Sequence, residues 1–148
     1  MGHSSSNQRS CHALMLFVGE HLDPERISTL LPLQPSRSKK KGEPLGSRAN
    51  FPTPLARRGV LSFSTKNVDS NDINDHLLYF IKAILPVSTE LKSLVDRDRL
   101  LWEIVCFFDH PPSNLRSILD QSVAKKLDRL GIDLMVDDPT TVEFVSEA

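Results

Sequence analysis

The sequence predicts an α+β domain: a mainly antiparallel sheet with helices on one face, in a variant of the ferredoxin-like split β-α-β arrangement. Three observations carry this prediction. Apolar runs of strand length alternate with segments of helical period, each bounded by turn residues. A chain of 148 residues suits one domain that holds its own core without disulfide or metal staples. The order of elements along it is strand, helix, strand, strand, helix, strand, helix, strand.

Residues 1–10 are polar and read as a flexible leader. They lack the apolar middle of a secretory signal, although Gly2 with Ser6 fits the acylation pattern M-G-x-x-x-[ST]. The domain is expected over residues 11–138, with a tail at 139–148. Residues 11–18 are almost continuously apolar and too short for a helix buried all round, which suits a central strand covered on at least one face. Beyond Gly19, Asp23 is placed to cap a helix, Pro24 fits its first position and Glu25 faces its positive end. Ile27, Leu30 and Leu31 form its apolar stripe, and Pro32 stops it.

Residues 36–41 read as an edge strand, because lysines protect an edge from further pairing. The loop at 42–58 is longer than ordinary connections. Residues 60–65 form a half-exposed strand with Leu61 and Phe63 on one face and serines on the other. Capping side chains from Ser70 to Asp75 open the clearest helix, which carries Ile73, Leu77, Phe80, Ile81, Ile84 and Leu85 at helical spacing and closes at Pro86. Residues 89–95 add a short helix, and the alternating charges from Asp96 to Arg99 make a solvated turn. Residues 100–108 read as a long strand, with Trp102, Ile104, Cys106 and Phe108 opposite Val105 and Phe107. Asp120 is expected to cap a helix through Val123, Leu127 and Leu130, and Gly131 to end it in the left-handed conformation. Ile132, Leu134 and Val136 then alternate with Asp133, Met135 and Asp137 as the last strand.

Several short pieces together resemble a small family of bacterial proteins catalogued only as a domain of unknown function. They are Gly19 with Leu22-Asp23-Pro24, the spaced Ile27 and Leu30-Leu31, Pro35-Ser36-Arg37, Lys41-Gly42, His76-Leu77, and Leu127 to Leu130-Gly131 before a strand. The resemblance runs over residues 11–137. Where it leads one to expect a tryptophan in the strand after the loop, this chain has Leu61 or Phe63. It implies a bacterial, single-domain α+β protein and brings no activity and no catalytic residues.

The residues themselves point to no reaction. The sequence contains no G-x-S-x-G elbow, phosphate-binding loop, G-x-G-x-x-G, H-E-x-x-H or EF-hand pattern. Cys11 and Cys106 lie inside apolar runs without a partner at metal or redox spacing, so they read as buried thiols in a cytoplasmic protein. Cys11 and His12 are adjacent on a strand and point to opposite faces, which prevents a direct thiol–imidazole pair. His12, His21, His76 and His110 fall at none of the spacings that aim two rings at one ion, and His76 is expected at a helix surface or in packing. No cofactor is expected, and the protein is read as non-catalytic. No apolar run exceeds residues 13–18, far short of the ~18 to 20 residues of a membrane span, so no membrane partner is expected.

Charge supplies the one positive signal. The 18 Lys+Arg nearly balance 19 Asp+Glu, which excludes a uniformly basic nucleic-acid binder. The balance hides an asymmetry. In residues 36–58, Arg37, Lys39, Lys40, Lys41, Arg48, Arg57 and Arg58 face Glu43 alone, a local +6, whereas eight acids against four cations after Phe108 make a local -4. With Phe51 as an apolar anchor, those seven cations are the candidate binding residues. The expected function is a small interaction protein, such as a bacterial adaptor or an immunity-like protein, that meets another protein through a sheet edge or the basic loop. The alternative is an anion or nucleic-acid module using residues 37–58.

Overall fold

The longest apolar run becomes the middle of a five-stranded sheet. In the computed structural model, which describes residues 10–44 and 56–137, β1 (Cys11–Gly19) pairs antiparallel with β3 (Gly59–Ser64) on one side and with β4 (Leu101–Phe108) on the other. The short β2 (Arg37–Lys39) lies antiparallel on the outer side of β3, and β5 (Asp133–Val136) lies parallel beside β4. The order is β2-β3-β1-β4-β5, so the architecture is α+β with a mixed sheet. The parallel pair has a simple cause. The chain leaves β4, turns through residues 115–118 and crosses back along a helix, which returns β5 in the direction of β4.

Four helices are described: α1 (Pro24–Leu30), α2 (Ile73–Ile84), α3 (Ser88–Arg97) and α4 (Gln121–Leu130). Their buried residues, among them Ile27, Leu77, Phe80, Leu91, Val123 and Leu127, share one core cluster with Ala13, Met15, Phe17, Leu61, Phe63, Trp102, Ile104 and Cys106. Every residue named from the sheet there comes from the same side of the pleat, because side chains alternate along a strand. The opposite side forms a separate, smaller cluster of Leu16, Val18, Val60 and Val105, all from strands. Among the described residues no helix is long and apolar enough to cross a membrane.

Local chemistry differs from the sequence reading in several places. Pro86 does not end the helical path: it sits in a single tight turn, Leu85–Val87, from which α3 runs directly to Arg97. Proline is tolerated there because the first turn of a helix needs no N–H from it. β3 is not half exposed, since five of its six residues are buried, Ser62 included. Asp72 caps α2 by accepting from the Asn74 N–H at 2.9 Å, but Asp23 and Asp120 make no side-chain cap bond. Asn74 instead holds the start of α4, donating to the Ile118 carbonyl at 3.1 Å and accepting from the Asp120 N–H at 2.8 Å. Gly131 ends α4 at φ +76°, the left-handed conformation anticipated for it.

Of the surface and packing roles expected for His76, the structure shows packing: its side chain is fully buried. Its Nε2 lies 2.8 Å from the Ser70 carbonyl oxygen, which can only accept, so in the neutral ring Nδ1 is left to accept from the Thr65 hydroxyl at 2.6 Å. Thr65 Oγ1 in turn accepts from the Ala13 N–H at 2.8 Å. One chain of hydrogen bonds thereby joins β1, the end of β3 and α2 across the core.

Candidate binding site

The strand registers assemble a second surface from residues scattered along the chain. Cross-strand partners share a face. Arg37 stands opposite Ser62, Ser62 opposite Leu16, Leu16 opposite Glu103, and Glu103 opposite Asp133, so one row crosses the face opposite the four described helices from a cation to two carboxylates. The next row runs Lys39, Val60, Val18, Leu101. On the other side of the first row lie Ser64, Leu14, Val105 and Met135, and beyond these the rings of His12 and Phe107 stack at 4.7 Å and nearly parallel. The charge asymmetry of the sequence thus becomes a spatial one, with bases at the β2 edge, acids at the β5 edge and an apolar strip between.

The β2 half of this face is hollow, with a cavity volume of about 510 Å³. Leu14, Leu16 and Val60 form its floor, and His12 with Phe107 close one end. Three hydroxyls line it: Ser36 and Ser62, whose oxygens lie 2.8 Å apart, and Ser64. Arg37 and Lys66 supply its positive charge. The floor suits hydrocarbon or aromatic surface, and the hydroxyls and cations suit an anion. Toward β5, burial raises the Glu103 carboxyl above its ordinary range and the nearby Asp133 charge adds to the rise. A second hollow, at the β5 edge, is lined by Glu103, Asp133 and the Arg116–Asp128 ion pair and is predominantly polar.

The residues expected to bind are only partly united here. Arg37 lines the hollow and Lys39 shares its face. Lys40 and Lys41 are exposed beyond the end of β2, with Lys41 Nζ 3.2 Å from Glu20. Arg57 and Arg58 are exposed on the returning arm of the loop just before β3, and its stem is closed by Gly42 N–H to Ala56 O and Ala56 N–H to Glu43 O, both 2.8 Å. Arg48 and Phe51 lie outside the described residues. Lys66, His12, Phe107 and the three serines were missed. The alternation of Ser62 and Ser64 with Leu61 and Phe63 pointed to a polar face, but nothing in the sequence showed that residues 12, 36 and 107 would meet it.

The remaining nucleophiles and ligands are placed otherwise. Cys11 and Cys106 are free and buried; burial pushes both thiols up, Cys106 to about 12, which leaves almost no thiolate at neutral pH. Among the described residues no cluster of three or more His, Cys, Asp or Glu is arranged to hold a metal ion. No curated protein and no solved structure matches the chain significantly. A family model does match, over residues 9–140, and the chain belongs to that family, described as Domain of unknown function (DUF4279).

Proposed function

We propose that the protein is a small, non-catalytic interaction protein, a bacterial adaptor or immunity-like protein, that docks an acidic protein partner on its β2 edge. The observation that carries this reading is the separation of charge across the face opposite the four described helices, with Arg37 and Lys39 at one edge and Glu103 and Asp133 toward the other. Such a face meets a partner in one orientation only, because the reversed pose sets like charges together. The order β2-β3-β1-β4, all antiparallel, supports reading the first four strands as a ferredoxin-like split β-α-β unit to which α4 and β5 are appended. The two buried free thiols fit a cytoplasmic setting.

A comparison of wild type with the Lys39→Glu, Lys40→Glu, Lys41→Glu variant tests this. Affinity capture from the native host is expected to recover a specific acidic protein with wild type at low salt and to lose it with the variant. Recovery of the same proteins by both would remove the β2 edge from the account. The loop stem supports the alternative, an anion or nucleic-acid module, because it carries Lys40 and Lys41 on its outgoing arm and Arg57 and Arg58 on its returning arm. Titration of labelled single- and double-stranded oligonucleotides separates the two readings: binding at low salt that collapses at moderate salt favours nucleic acid.

A further inference from the structure

Glu103 is a buried acid with nothing to hold its charge. It is only 8% exposed, yet among the described residues its carboxylate has no hydrogen-bond donor and no cation beside it. Its charged neighbour is another acid, Asp133, the register partner on β5. The Asp133 side chain likewise makes no hydrogen bond or ion pair among the described residues. Burial pushes the Glu103 carboxyl up and the Asp133 charge adds to the rise, whereas an ion-paired carboxylate is pulled down. Buried charges in proteins are paired or coordinate a metal ion.

The surroundings leave room for such a partner. Glu103 and Asp133 line the polar hollow at the β5 edge, about 630 Å³, together with Gly131, Ile132, Arg116 and Asp128. The cation already there is engaged: Arg116 donates to both oxygens of Asp128, at 2.9 and 3.3 Å. The hollow therefore keeps the two negative charges of Glu103 and Asp133 uncompensated. Arg37 begins the same row, but three strand spacings, about 14 Å, separate it from Glu103, and it neutralises nothing there.

Spacing and charge select the ligand. Register partners on neighbouring strands lie about 4.8 Å apart. A hard cation with an oxygen at ~2.0–2.6 Å on either side spans ~4–5 Å, so it fits between the two carboxylates. Two negative charges match a divalent ion, and with two carboxylates as ligands the rest of its shell is water, the usual arrangement for magnesium. We propose that Glu103 and Asp133 bind a partly hydrated divalent cation, magnesium or calcium, across β4 and β5. The site is separate from the partner reading, since Lys39, Lys40 and Lys41 take no part in it.

Addition of manganese and calcium chlorides to the chelator-treated full chain tests the assignment. Manganese, a paramagnetic stand-in, is expected to broaden the amide resonances of Glu103, Asp133 and their neighbours first. Calcium chloride at about 10 mM is expected to raise the melting temperature by about 4 °C over sodium chloride of equal ionic strength, as for a dissociation constant on the order of 1 mM. Glu103→Gln and Asp133→Asn are each expected to remove most of both effects, and Glu90→Gln, at an exposed carboxylate on α3, to keep them. Asp133 is exposed, so its variant carries the test even if Glu103→Gln folds poorly. No rise beyond the sodium control would overturn the proposal, as would broadening that spares Glu103 and Asp133 or survives in the double variant. So would an equal rise from ethylammonium chloride, which would give the hollow to an amine.

Discussion

The two faces of the sheet are built from the same strands and do different things. On the helical face, Phe17 packs against Phe63 edge-on and stacks on Trp102 at 5.4 Å, and side chains from all four helices close over them. On the other face, Leu14 and Phe107 are only partly buried, the rows end in charges of opposite sign, and a hollow remains. A well-filled interior leaves few voids as large as a water molecule. One face is thus spent on holding the fold, and the other leaves Leu14 and Phe107 partly open beside a hollow.

The largest expected effect tests that division directly. Phe17→Ala empties the aromatic centre of the helical face and is expected to cost about 3–5 kcal/mol by chemical denaturation. Leu14→Ala, three residues earlier on β1 but facing the hollow, is expected to cost about 1 kcal/mol, because little packed surface is lost. Comparable losses at the two positions would erase the distinction between the faces.

A middle-sized effect probes what fastens the helical face. Thr65→Val keeps the shape of the side chain but strips the hydroxyl on which both His76 Nδ1 and the Ala13 N–H depend. Two buried polar groups lose their partner, and the expected cost is about 1–3 kcal/mol. His76 is expected to show it as well, by a shift of its ring resonances in a protein that still folds. A variant as stable as wild type would mean that the hydrogen-bond chain does not fasten the core.

What the sequence made legible follows the range of the interactions involved. Local rules placed β1, α2, β4 and the Gly131 terminus, since alternation, capping and φ > 0 are decided within a few residues. The parallel seat of β5 depends on the whole crossover, which no local pattern encodes; the other three strand pairs are antiparallel, in keeping with the mainly antiparallel sheet expected. The same holds for His76, whose partners lie 11 and 6 residues back along the chain. The basic segment was visible as a run of charge. Its meeting with Ser62, His12 and Phe107 needed the register of three strand pairs, and with it the contrast between charged edges and apolar middle.

The smallest expected effect lies on that contrast, at Glu103. It is buried at 8% exposure beside Leu16, with Asp133 across from it in the next strand. Burial, and then the Asp133 charge, hold its carboxyl above the ordinary range, so the folded chain retains this proton more tightly than the unfolded one. Stability attributable to this group therefore falls as pH rises from the unfolded value through the raised folded one, and the full penalty is present above both. Glu103→Gln removes the ionisation and keeps the shape. It is expected to raise the melting temperature at pH 7.5 and to leave it nearly unchanged below about pH 4, where the carboxyl is protonated in both states. An equal rise at both values would assign the gain to packing rather than charge. A fall at pH 7.5 would mean that the carboxylate is held by a partner worth more than its desolvation, and the acidic edge would then be a structural ion site rather than the negative end of a docking face.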